Sequence, residues 1–196
     1  MLGTGIRGDK HNADPNLLCE NLIIPYKKDG ILIKQVGDSA FRYHTRLKTL
    51  YIPNTIEYLG YDCFGYIPSL ESTIFEERSN TALIFGQGIF AGFNIKIVRL
   101  PSIILSVDPH VFGWSNIEKI IYCGMDFVNA SWFSDIRPPL IYAHSLYPYD
   151  SFGRDSNLTF TNECGVYMKS VYYSMPHMSC LFIRIPFSMQ LIIFLS

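Results

Sequence analysis

Charge is what this chain has least of. Asp, Glu, Lys and Arg make up 17% of its 196 residues, where an ordinary soluble domain carries roughly a quarter. Sixteen basic side chains against 17 acidic ones leave a net charge of −1, so no basic field draws it to nucleic acid. Cysteine is sparse as well. Cys19, Cys63, Cys123, Cys164 and Cys180 are scattered and include no C-x-x-C pair, which argues against a metal site. The thiols are expected to be reduced or incidental rather than a disulfide framework, although an odd count leaves room for one pair plus spares. Catalytic signatures are missing: there is no G-x-S-x-G, no H-E-x-x-H and no G-x-x-x-x-G-K-[ST]. His11, His44, His110, His144 and His177 are dispersed, and Asp14, Asp29, Asp38, Asp62 and Asp108 sit beside turn or polar residues, where Asp serves local hydrogen bonding. Without a nucleophile and base, a carboxylate pair or a cofactor loop, the chain reads as a non-enzyme with no cofactor.

Apolar residues, by contrast, make up 48% of the chain and aromatics 15%, and they recur in one phrase. Leu47-Lys-Thr-Leu50-Tyr-Ile52-Pro53 returns as Ile95-Lys-Ile-Val98-Arg-Leu100-Pro101 and as Ile117-Glu-Lys-Ile120-Ile-Tyr122-Cys123. A blurred copy runs Leu70-Glu-Ser-Thr73-Ile-Phe75-Glu76, and an earlier one Cys19-Glu-Asn-Leu22-Ile-Ile24-Pro25. A second landmark keeps step: Phe41, Phe64, Phe90 and Phe112, at separations of 23, 26 and 22 residues. Ahead of them lie Val36-Gly37, Leu59-Gly60, Phe85-Gly86 and Val107-Asp108, a buried slot followed by a turn slot where glycine suits positive φ. The first unit is longer, and Asp29-Gly30 marks its extra residues as a hairpin insertion. A period of twenty-odd residues with this skeleton is the mark of a solenoid, in which each unit buries its apolar edge only by stacking on the next.

The wording I-P…I-x-x-[LI]-G-x-x-[AC]-F…L resembles the BspA-type leucine-rich repeat, most closely in Leu22–Phe41 and Leu50–Phe64. That resemblance implies a leucine-rich-repeat solenoid: a β-rich right-handed superhelix of parallel short strands, about five repeats of 22–26 residues. A second extended segment is expected near each glycine and a short helical turn around each phenylalanine. The core would be Leu22, Ile24, Phe41, Leu47, Leu50, Ile52, Phe64, Leu70, Phe90, Val98, Leu100, Phe112, Ile117 and Ile120. Residues 1–18 read as a flexible lead-in, 19–145 as the repeats, 146–170 as a closing segment and 171–196 as an apolar tail. The lead-in holds Gly3-x-Gly5-x-x-Gly8 and Arg7-Gly8-Asp9, neither in a supporting context, and has no apolar stretch like that of a signal peptide. The tail could associate with a membrane, but Cys180–Ser196 spans 17 residues and contains Arg184 and Pro186, which disfavour a spanning helix.

Alternation along a strand turns the residues between the skeleton positions outward. One column would hold Asn21, Thr49, Ser72, Ile97 and Lys119, and a second Ile23, Tyr51, Ile74, Arg99 and Ile121. An apolar column on a wet face is either a contact site or plain cross-strand packing. As a contact site, this concave face would bind through Ile23, Thr49, Tyr51, Ile74, Ile97, Arg99, Lys119 and Ile121. Glu20, Lys48, Glu71, Lys96 and Glu118 alternate in sign and would hold the register. The resemblance implies a protein partner and adhesion, possible on a host or neighbouring cell surface. An intracellular scaffold and a shortened family member are the competing readings. The sequons at Asn129 and Asn157 matter only in a secretory lumen.

Overall fold

The computed structural model describes residues 20–78, 80–128, 132–133, 136–153, 158–162 and 164. Two short strands per coil follow from the two apolar phrases per repeat. The first coil contributes β1 (Asn21–Ile23), the inserted pair β2 (Lys27–Lys28) and β3 (Ile31–Leu32), and β4 (Gln35–Val36). The next three contribute β5 (Thr49–Ile52) and β6 (Tyr58–Leu59), β7 (Ser72–Phe75) and β8 (Leu83–Phe85), β9 (Ile97–Leu100) and β10 (Ile104–Val107). Then come β11 (Lys119–Tyr122), β12 (Leu140–His144) and β13 (Leu158–Thr161).

Strands stack in parallel, like on like, which makes a β-solenoid of about five turns. One face carries β1-β5-β7 and then β9-β11-β12-β13, while the other carries β4-β6-β8-β10. The expected columns are the observed register: Asn21 pairs with Thr49 and Thr49 with Ser72, and Ile97 with Lys119. No ladder joins β7 to β9 among the described residues, so the first face is two sheets rather than one. The insertion is the expected hairpin, antiparallel with Lys28 opposite Ile31, and its turn places Asp29 and Gly30 at φ of 51° and 83°, the pair of left-handed residues a two-residue hairpin needs.

Each of the fourteen residues expected in the core, from Leu22 to Ile120, is buried in one continuous core. Through it runs a stack of rings: Phe41 to Phe64 at 5.4 Å, Phe64 to Phe90 at 6.3 Å and Phe90 to Phe112 at 5.7 Å between centroids. Trp132 and Phe133 continue it at 6.0 and 6.1 Å from Phe112.

Two local expectations are corrected. The segments around the phenylalanines are tight turns, not helical ones, because each carries left-handed residues two before and two after the ring: Ser39 and Tyr43, Asp62 and Tyr66, Gly88 and Gly92, His110 and Trp114. Left-handed backbone costs an L-residue roughly 1–2 kcal/mol and cannot continue a right-handed helix. Hydrogen bonds between coils hold it, as Phe41 N donates to Cys63 O at 2.7 Å, Asp62 N to Gln87 O at 2.9 Å and Phe90 N to Val111 O at 2.9 Å. The glycines of the turn slot, Gly60 and Gly86, are not left-handed. They are close-approach positions: a Cβ on Gly60 would fall 2.5 Å from Asp38 Oδ1, and one on Gly86 2.6 Å from Leu59 O. Asp38 uses that space to accept from Tyr61 N at 2.8 Å.

Candidate protein-binding face

The outward side of the short strands is where the sequence places the site, and the two sheets treat it differently. On β1-β5-β7 the first column is polar, with Ser72 Oγ donating to Thr49 Oγ1 at 3.4 Å. In the second column Ile23 and Ile74 are half-buried, but Tyr51 is only 6% exposed. Its hydroxyl lies 3.4 Å from that of Tyr26, which donates to Glu76 Oε1 at 2.6 Å. Glu76 Oε2 accepts from Asn54 N at 2.8 Å. Tyr51 is thus tied into a polar knot at the foot of the inserted hairpin, and the expectation that it faces water is not met. Tyr26 lies just outside the repeat phrase and Glu76 closes the blurred copy of it, and no spacing in the sequence announces that they meet.

On β9-β11-β12-β13 the face is more open. Ile97 is 56% and Leu140 60% exposed, with the half-buried Lys119 between them in the ladder. Lys119 Nζ sits 4.0 Å from the centroid of the Tyr142 ring, a cation–π contact that steadies a long side chain. Leu140 and Tyr142 extend the two columns by one strand, and the short continuous apolar run Leu140-Ile-Tyr-Ala was the signal for that strand.

The second column on this sheet is partly closed by the chain itself. Beyond β13 the backbone returns across β12 to reach β11 and β9: Cys164 is disulfide-bonded to Cys123, with Cα atoms 5.5 Å apart, and Arg99 Nη2 donates to Cys164 O. Ile121, between them, is 6% exposed. The expectation of reduced thiols is therefore corrected for this pair. Two cysteines 41 residues apart reveal nothing in sequence, since only the return of the chain after β13 brings them together. Cys63 fits the expectation, as a free, fully buried thiol whose pKa burial pushes well up. Cys19 and Cys180, the asparagines of both sequons, the lead-in motifs and the apolar tail lie outside the described residues.

The charged row forms pairs rather than an unbroken ladder. Lys48 Nζ lies 2.9 Å from Glu20 and Lys96 Nζ 2.7 Å from Glu118, on either side of the gap between β7 and β9. Exposed pairs of this kind add little to stability and act on register. Among the described residues no cluster of His, Cys, Asp and Glu could hold a metal ion, and no helix is long and apolar enough to cross a membrane.

A search of curated proteins finds no match to the chain. A family model, described as the BspA type leucine rich repeat region, matches residues 19–137 in 6 copies. Those residues include the coils from β1 to β11 and the phenylalanine stack, and on that match the chain belongs to the BspA-type leucine-rich-repeat family.

Proposed function

We propose that this chain is a non-enzymatic protein-binding module, that it binds through the outward face of β9, β11 and β12, and that its role is adhesion at a cell surface. The observation that carries the reading is the exposed run Ile97–Lys119–Leu140 beside the Lys119–Tyr142 pair. Two large aliphatic side chains held open around a cation and an aromatic ring combine apolar area with the residue types that dominate interface energetics. Leucine-rich repeats commonly serve protein interaction, in keeping with this. The Cys123–Cys164 disulfide supports an oxidising compartment, and with it the surface role over an intracellular scaffold.

Of the residues first assigned to the site, Ile97 and Lys119 keep a direct part, and Ile23, Thr49 and Ile74 form a flanking sector on the other sheet. Tyr51, Arg99 and Ile121 act by holding that surface in shape. The test is binding of the purified, labelled chain to intact cells, comparing Ile97→Asp/Leu140→Asp with Leu105→Asp. Leu105, on β10 of the opposite face, is 67% exposed and serves as the control. The face variant should lose roughly tenfold or more in affinity, about 1.4 kcal/mol, and the control should lose nothing. Equal binding by all three, or equal loss in both variants, would overturn the assignment. Protease accessibility of a tagged chain on intact cells, read with a glycosidase shift at Asn129 or Asn157, tests the compartment. Full protection with no shift favours the intracellular scaffold.

A further inference from the structure

The turn edge carries a ridge of aromatic side chains that the strand face does not use. The left-handed residues two beyond each buried phenylalanine are Tyr43, Tyr66, Gly92 and Trp114, so a column of side chains climbs the turns with its third rung missing. Tyr43 and Tyr66, one coil apart, lie 5.3 Å between centroids with planes 27° apart. Tyr66 and Trp114 are two coils apart and yet lie 6.4 Å from each other at 24°.

That closeness is a lean. Hydrogen bonds stitch the coils along this edge: Tyr43 N to Gly65 O at 3.0 Å, Tyr66 N to Ala91 O at 2.7 Å and Gly92 N to Gly113 O at 2.8 Å. Backbones joined this way stand about 4.8 Å apart, which sets Tyr66 and Trp114 about 9.6 Å apart at their bases. The Tyr66 ring fills the difference by tipping over Gly92, where a Cβ would meet Tyr66 Cδ1 at 2.8 Å. With Tyr66 upright, a flat ring placed midway would lie about 4.8 Å from each neighbour, inside the roughly 4.5–7 Å range of stacked aromatic pairs. Trp114, the far wall of this slot, is 66% exposed.

Charge decides which flat group enters. Arg42 lies 4.7 Å over the Tyr43 ring and 5.0 Å over that of Tyr66, and its guanidinium is 3.2 Å from Asp62 Oδ2. The buried Asp62 carboxylate is matched by Arg42, so an incoming guanidinium or ammonium would meet the like charge of Arg42 over the Tyr66 ring. A neutral ring is not opposed. We infer that the place over Gly92, which the Tyr66 ring covers in the free chain, is a receptor slot for one aromatic side chain of a protein partner, which displaces that ring upright, enters between Tyr66 and Trp114 and completes the column. The inference rests on the protein-binding reading for the class of partner, and places a second contact on a different edge of the solenoid.

The probe is p-cresol, the tyrosine side chain as a free molecule. The chain has 2 tryptophans, so 5-fluorotryptophan labelling gives two fluorine resonances, with the 1% exposed Trp132 as internal control. Titration should shift the Trp114 resonance saturably, with a Kd on the order of millimolar for so small a ligand, and leave that of Trp132 in place. Gly92→Tyr supplies the rung from within the chain, in a backbone conformation that tyrosine already adopts at 43 and 66, and should abolish the shift. Tyr66→Ala removes one wall and should weaken the response at least tenfold, which keeps the test decisive if Gly92→Tyr does not fold. A non-saturating shift, an equal response to 4-methylcyclohexanol, or full responses in Gly92→Tyr and Tyr66→Ala would overturn the slot. Ile97→Asp/Leu140→Asp should retain the p-cresol response, so failure of the slot and failure of the strand-face reading are read separately.

Discussion

Phe90 is the middle rung of the ring stack, and truncating it tests whether the coils share one core. Its side chain is 1% exposed and lies 6.3 Å from Phe64, 5.7 Å from Phe112, 5.1 Å from Phe93, 6.1 Å from Phe75 and 6.2 Å from Phe85. Phe90→Ala forfeits about 1.5–3 kcal/mol of burial. The space left, about 100 Å³ if nothing relaxes, adds about 2.4 kcal/mol at 24 cal/mol per Å³. Together these give about 4–5 kcal/mol, a large share of the roughly 5–15 kcal/mol that holds a native chain together. Urea unfolding followed by tryptophan emission should then move its midpoint down by about 2 M, for a slope near 2 kcal/mol per M. Phe41→Ala, at the first rung, opens its cavity toward the end of the stack and should cost less, about 3 kcal/mol. A loss below about 2 kcal/mol for Phe90→Ala, or equal losses for the two, would show that each coil is stable without its neighbours and refute the continuous core.

Other outcomes follow from single sites. Closing a loop of 41 residues is worth about 4 kcal/mol in the chain-entropy model, so Cys123→Ser/Cys164→Ser should lower the urea midpoint, and dithiothreitol should lower the native chain to meet it. His44 Nδ1 accepts from Leu47 N at 3.1 Å and Arg46 N at 3.4 Å, and burial holds its pKa below 6.5. The unfolded chain therefore binds that proton more readily, and stability should fall as pH drops below about 6.5. His44→Asn keeps an acceptor for the turn, and its melting temperature should vary less from pH 7 to pH 5. Arg78 is buried and donates to the carbonyls of Ile56 at 2.7 Å, Pro53 at 3.2 Å and Asn54 and Thr81 at 3.4 Å. Arg78→Met would leave those acceptors unmet at a cost of about 3 kcal/mol, measurable by thermal melting, with Arg78→Lys recovering part of it.

The inner skeleton and the register were legible because burial on one face enforces a strict spacing, and each repeat restates it. Leu50, Val98 and Ile120 could be placed by counting, and so could the Asp29-Gly30 hairpin, whose turn chemistry is local. The turns were not legible. Their left-handed positions hold Ser39 and Tyr43, Asp62 and Tyr66, His110 and Trp114, and only the third coil writes them as Gly88 and Gly92. Hydrogen bonds between coils impose that backbone, and such bonds leave no mark on residue type. The strand face was half legible for a similar reason. Counting set Tyr51 and Ile121 outward correctly, but it could not foresee the Tyr26–Glu76 knot or the return of the chain to Cys123, both of which join residues far apart in sequence.

The missing ladder between β7 and β9 has a mechanical meaning. Force applied along the stack loads the parallel ladders in peeling mode, so bonds break strand by strand and not all at once. Between the third and fourth coils the load falls on the β8–β10 pairing and on turn bonds such as Phe90 N to Val111 O, because among the described residues the first face contributes no ladder there. Pulled from its ends, the solenoid should part there first and then lengthen in two unequal stages. Cys123–Cys164 withholds 41 residues from the second stage. A solenoid built this way yields at a fixed point and stops at a fixed length.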